Sequence, residues 1–155
     1  MTVKFEYSVD EIGMNIIDAL QTDARVTYSD IGRKVGLSSP AVAERVYKME
    51  EAGIIKGYHA DVAPEFLGHA VMAFVTLTTQ SEKYPQIFKL ASRLDEVMEC
   101  HHISGQESLI LKLGSGSVSH LDELVRQLSR FGETKTSIVL STPVEKKKTR
   151  SLKKI

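Results

Sequence analysis

Residues 36–53 read GLSSPAVAERVYKMEEAG: a glycine, a pair of serines, a proline, a helical stripe and a second glycine. Gly36 suits the left-handed residue that ends one helix. Ser38 or Ser39 can cap the next, and Pro40 falls in its first turn, where a missing N–H costs nothing. Val42, Val46 and Met49 recur at helical spacing on one face, and Gly53 stops the helix. Leu37 is placed to plug the angle between the two helices. Upstream, Ser29 can cap a helix over 29–35. Further back, Ser8-Val9-Asp10-Glu11 fits the capping box, and Ile12, Ile16, Ile17 and Leu20 follow at helical spacing. Gly13 inside that first helix costs about 1 kcal/mol relative to alanine. Three short helices with a tight glycine turn between the last two make a helix-turn-helix pattern. Ser38, Ser39 and Ala41 are small enough to let a backbone approach DNA. The helix start also offers free N–H groups and a positive dipole end to a phosphate.

The periodicity then changes. The stretch 54–69, IIKGYHADVAPEFLGH, reads as a short strand and a hinge. Strands are expected at 71–77, 97–103, around Leu109, Leu111 and Leu113, and at 137–141. Between them, helices are expected over 85–94 and around Leu121, Leu124, Val125 and Leu128. The order β-α-β-β-α-β is the ferredoxin-like pattern, an antiparallel sheet with both helices on one face. Met72, Phe74, Ile110 and Val139 occupy the alternate register, so a second subunit is the natural cover for the other face. The predicted fold class is α+β, a winged-type helix-turn-helix followed by a ferredoxin-like domain. The predicted division is 1–55 for DNA binding, 56–69 as strand and hinge linker, 70–144 for regulation and oligomerisation, and 145–155 as a basic tail.

The 155 residues are 42% hydrophobic and carry no formal net charge. The neutral sum hides a positive window at Arg25, Arg33, Lys34, Arg45 and Lys48, and a basic end from Lys146 to Lys154. A DNA-binder needs a positive face rather than a positive sum. No apolar run approaches the ~20 residues of a membrane span. The start lacks the apolar core of a secretory signal, and the single Cys100 excludes an internal disulfide, so a cytoplasmic location is expected. In Cys100-His101-His102 adjacent histidines on a strand point to opposite faces, which argues against a metal site. No phosphate loop, metal-ligand cluster or nucleophile elbow is present, so neither catalysis nor a cofactor is expected.

The string GLSSPAVAERVYKMEEAGIIKGYHADVAPEFLG at 36–68 resembles the leucine-responsive (Lrp/AsnC) family of feast/famine transcription regulators. The likeness extends over roughly residues 8–144. It implies DNA binding by the third helix and dimers paired through the β domains, commonly assembled into a larger ring-like homo-oligomer, up to an octamer. It also implies an amino-acid effector bound between regulatory domains. Two motifs depart from the family pattern. The first helix lacks the second aspartate of L-D-x-x-D, carrying Gly13 there. Where the family has G-x-x-D, this chain has Gly105-Gln106-Glu107-Ser108, which displaces the acidic group that meets an amino-acid ammonium.

The expected DNA-contacting set is Arg33, Lys34, Ser38, Ser39, Pro40, Ala41, Glu44, Arg45 and Lys48. Arg45 has a second option, an ion pair with Asp10 or Asp30. The basic tail has two readings, phosphate attraction or a solvated end. The effector candidates are Gly105, Gln106, Glu107 and Ser108, with Thr134 and Thr136 as neighbours through the resemblance. The expected function is an oligomeric, amino-acid-modulated DNA-binding regulator. The alternative is an effector-independent architectural protein that wraps or bends DNA.

Overall fold

Three helices open the part of the chain that the computed structural model describes, residues 8–150: α1 (Glu11–Thr22), α2 (Tyr28–Val35) and α3 (Ser39–Glu51). Lys153 and Lys154 of the expected basic tail lie outside the described residues. Ile16, Leu20, Ile31, Val42, Val46 and Met49 form the helical core, with Leu37 packed against it as expected. Two caps differ from the sequence expectation. Asp10, not Ser8, caps α1, accepting the Gly13 amide on Oδ1 at 2.7 Å. Thr27, not Ser29, caps α2, accepting the Asp30 amide at 3.1 Å. Both motifs had a nearer acceptor two residues away, and the burial of Ile16 and Ile31 sets the helix phase that selects it.

The turn between α2 and α3 rests on two glycines. Gly36 has φ 72°, a left-handed conformation that strains any residue with a Cβ. Gly32 is the tighter constraint. The Leu37 amide donates to the Gly32 carbonyl at 3.0 Å, and the Leu37 carbonyl folds back over the Gly32 Cα. A Cβ at Gly32 would lie 2.4 Å from that Leu37 oxygen. Only glycine lets the two helices meet here.

Asp10 does a second job. Arg45 Nη1 on α3 donates to both Asp10 oxygens, at 2.9 and 3.0 Å. One carboxylate thus caps α1 and holds α3 to it. The Gly13 amide first, and then Arg45, hold the Asp10 carboxyl below the usual carboxylate range.

The chain divides into two compact units: residues up to Asp61 together with those from Val144 on, and Val62–Pro143. The strand expected within 54–69 is not formed; a 3-10 turn, Pro64–Leu67, lies there instead. A strand needs a ladder partner, and no described residue supplies one to this segment. The helical unit therefore has no wing strand among the described residues.

The second unit contains β1 (Val71–Thr78), α4 (Tyr84–Ala91), β2 (Val97–His102), β3 (Leu109–Ser115), α5 (Val118–Ser129) and β4 (Glu133–Ile138). The strands run in the order β2-β3-β1-β4, and every pairing is antiparallel. Ala73, Val75 and Leu77 face Leu113, Leu111 and Leu109, and this surface is covered by Ile87, Ala91, Leu121, Leu124 and Leu128 of the two helices. Helix α4 ends at Ala91, short of the expected Leu94, because the Ser92 hydroxyl bonds the Phe88 carbonyl and the chain turns. Strand β4 begins four residues earlier than expected. Its place is set by pairing Thr134, Thr136 and Ile138 with Leu77, Val75 and Ala73, while Leu140 lies outside it, 95% exposed. As an edge strand it is polar, which blunts unwanted pairing and erases the apolar signal.

Gly32→Ala should destabilise the helical unit by about 2 kcal/mol or more in chemical denaturation. Gly36→Ala should cost about 1 kcal/mol. A Gly32 loss under about 0.5 kcal/mol, the usual surface effect, contradicts the close approach. For Asp10→Asn, the stability difference from wild type should be fully present above about pH 4, the unfolded carboxyl's pKa, and close as pH falls through the lowered folded value. A difference that stays constant from pH 7 to strong acid in pH-dependent denaturation contradicts the Asp10–Arg45 link.

Candidate nucleic-acid interface and effector region

The start of α3 is built to be approached. Ser38 is the cap; its Oγ accepts the Ala41 amide at 3.4 Å. Ser38, Ser39 and Pro40 are exposed and Ala41 is half-buried. Because Val42, Val46 and Met49 turn inward, Pro40, Glu44, Tyr47 and Lys48 face outward. Tyr47 was missed from sequence. It is 58% exposed, and its hydroxyl donates to Glu51 at 2.8 Å. The signal was present, since Tyr47 lies three residues beyond Glu44 on the face opposite the buried stripe.

Of the four cations on α2 and α3, three are in ion pairs. Arg33 pairs with Asp30, whose carboxyl is held low by the Thr27 hydroxyl and then by Arg33. Lys48 donates to Glu44 at 2.7 Å, which lowers the Glu44 carboxyl. Arg45 is committed to Asp10, the second of its two options. Lys34 is exposed and makes no ion pair among the described residues. Exposed pairs such as Arg33–Asp30 and Lys48–Glu44 are worth about 0–1 kcal/mol, so a phosphate can take either cation at little cost. Arg45 is more enclosed, at 32% side-chain exposure, and acts on helix geometry.

The effector candidates do not converge within one chain. Gly105 and Gln106 are exposed on the β2–β3 connection. The Ser108 hydroxyl accepts from the Thr79 amide at 3.1 Å and donates to the Thr79 carbonyl at 2.9 Å. Ser108 is thus a latch joining the end of β1 to the start of β3. Thr134 and Thr136 share the register of Leu77 and Val75, on the helix side of the sheet, and Thr134 lies 3.0 Å from Ser129 of α5. Glu107 instead meets Lys135 at 3.3 Å. Lys135 pairs in register with Thr76, on the sheet face away from the helices. Alternation along ETKTSI is what identifies Lys135 as the β4 residue beside Glu107 on this face.

That open face carries Met72, Phe74 and Ile110, with Phe74 40% exposed. The Val139 amide continues the ladder to the Met72 carbonyl at 2.8 Å, which places Val139 beside them. Glu99 on the same face bonds His101 at 3.1 Å and Lys112 at 3.3 Å. Cys100 points the other way, half-buried against the core with its thiol pushed up by burial. His102 stacks near Tyr84, ring centroids 5.0 Å apart. No helix among the described residues is long and apolar enough to cross a membrane.

The AsnC-type helix-turn-helix domain matches residues 9–50, and the Lrp/AsnC ligand-binding domain matches 72–149. The chain is 32% identical to the HTH-type transcriptional regulator LrpC of Bacillus subtilis, covering 86% of this chain and 92% of the relative. It is also 32% identical to the regulatory protein AsnC of Escherichia coli, over 89% of this chain and 94% of that protein. The solved structure of Bacillus subtilis LrpC superposes with TM-score 0.83 at 31% identity, covering 90% of this chain and 99% of that one. A Neisseria meningitidis transcriptional regulator solved with L-Met shares the fold at TM-score 0.84 and 21% identity, over 92% of this chain and 97% of that one. A capped, exposed helix on a glycine-locked turn, joined to an antiparallel sheet with one open face, therefore belongs to the Lrp/AsnC family, and the chain is a DNA-binding transcription regulator with a ligand-binding domain.

Proposed function

We propose that α3 enters the major groove of double-stranded DNA and reads a specific site. The observation that carries this is its outward face, with Ser39, Pro40, Glu44 and Tyr47 unburied beside a small, half-buried Ala41. Ser38 and Ser39 sit at the helix N-terminus, where backbone amides and hydroxyls suit a phosphate. Arg33, Lys34 and Lys48 neutralise flanking phosphates, Arg33 and Lys48 by exchanging partners. Glu44, released from Lys48, can accept from a cytosine amine. Arg45 positions α3 through Asp10 rather than reading bases. The protein works in the cytoplasm and catalyses no reaction.

Two copies pair through the open sheet face, burying Met72, Phe74, Ile110 and Val139, and the dimers assemble further. Dimerisation presents two α3 helices to successive grooves, about 34 Å apart. The effector is an amino acid held between ligand-binding units. Glu107 and Lys135 offer the opposite charges that a zwitterion's ammonium and carboxylate need, and their exposed mutual pair is weak enough to open. Ser108, occupied by Thr79, is the latch beneath this pair and not the ammonium's partner.

Two measurements test this reading. In fluorescence anisotropy across a salt series, Lys34→Ala should weaken binding to all DNA alike and reduce the log-log salt slope by about 0.9 per subunit. Tyr47→Ala should weaken binding to a selected site about tenfold while sparing random DNA. If neither change has an effect, α3 is not the contacting element. Phe74→Glu should convert the oligomer to monomers in light scattering, because it buries a charge without a partner. An unchanged mass places the assembly interface elsewhere.

A further inference from the structure

The basic segment that follows the ligand-binding unit is bound to the first helix. Lys148 Nζ lies 3.2 Å from Asp18 Oδ1 and also meets the Thr22 hydroxyl. The Thr149 amide donates to Gln21 Oε1 at 2.7 Å, and Gln21 Nε2 returns a bond to the Thr149 carbonyl at 3.0 Å. One side-chain amide therefore reads both backbone groups of one residue, the recognition a passing strand would give. Lys146 approaches Asp61 at 3.7 Å. Lys148 sits over the last turn of α1, where the helix dipole favours a cation and no basic residue of the helix itself supplies one. Thr149 and Arg150 also help line a cleft of about 980 Å³ with Met14, Ile17 and Leu20 of α1.

We propose that residues 146–150 form a strap that clasps the outer face of α1 through Asp18, Gln21 and Thr22. The DNA-reading unit then has two connections to the ligand-binding unit, the covalent hinge before β1 and the chain after β4, held to α1 by these hydrogen bonds and the ion pair. Lys148, itself 33% exposed, gives its charge to Asp18 and Thr22, so it holds the reading unit rather than a DNA phosphate, whereas the exposed Lys146–Asp61 pair adds little. This accounts for an acidic outer face on α1 together with a basic end to the chain, two features whose charges cancel in the total.

The test uses the full-length oligomer and substitutions outside the proposed DNA contacts. In amide hydrogen exchange, Lys148→Glu should speed exchange at Thr149 and in the last turn of α1 by roughly two- to tenfold. Asp18→Lys added to Lys148→Glu should restore the protection. Unchanged exchange in the single variant, or no restoration in the pair, overturns the strap. A second arm rests on the DNA-binding reading. In Lys148→Ala the salt slope should change by less than about 0.3 per subunit; a fall near about 0.9 per subunit places Lys148 on a phosphate and overturns the proposal. Failure of all DNA binding in wild type would sink the functional reading, yet leave the exchange arm to decide on the strap.

Discussion

Among the glycines of the reading unit, Gly32 leaves the least room for a Cβ, because the Leu37 carbonyl lies against it, and the orientation of α3 depends on that contact. Without a Cβ at Gly32, α2 ends, the chain reverses through Gly36, and α3 starts three residues later at Ser39. Leu37 is then pulled into the core beside Ile31 and Val42. That packing turns Val42, Val46 and Met49 inward, and the opposite face of α3 is left to solvent by geometry alone. The interface is thus a consequence of the turn. Asp10 completes the arrangement from the other side, linking the start of α1 to Arg45 in mid-α3. Two close contacts help fix a helix that itself contributes three of the six buried side chains of the helical core.

Charge is handled in the same economical way. The chain carries equal numbers of basic and acidic residues, and the structure places many of them in pairs. On α2 and α3 the pairs are exposed, so they can open when a phosphate arrives. At the cap and along α1, Asp10 and Asp18 meet the more enclosed cations Arg45 and Lys148, each 32–33% exposed, and these pairs join separate elements. Of the cations on α2 and α3, Lys34 is in no ion pair among the described residues, while Arg33 and Lys48 carry exposed pairs that are weak enough to open. Under the proposed pairing through the open sheet face, several α3 helices presented at once would add to what any single subunit contributes.

Much of this was legible in the sequence. The helix stripes, Gly36, Pro40, the β-α-β-β-α-β order and the open-face residues all follow from spacing, because burial enforces periodicity. The errors share a cause. Ser8 and Ser29 fitted capping patterns, but long-range packing chose Asp10 and Thr27. The position of β4 was hidden because its residues are polar, and only the ladder to β1 locates it. The demand on Gly32 leaves no mark in the sequence pattern, since the carbonyl that crowds it belongs to Leu37, five residues on. Strand alternation sets Thr134 and Thr136 on the helix side of the sheet and Glu107 beside Lys135 on the other face, a separation that needs the β1–β4 register to be seen. Tyr47 lies opposite the buried stripe of α3, a position that helical spacing alone marks.

The central claim is that α3 reads sequence and does not merely hold DNA. Competition between a site enriched from genomic DNA and random duplex, at one fixed salt concentration, tests it most directly. The account predicts a preference of about a thousandfold or more for the selected site. A ratio near one would contradict it, leaving only backbone attraction and the cost of bending DNA to explain binding.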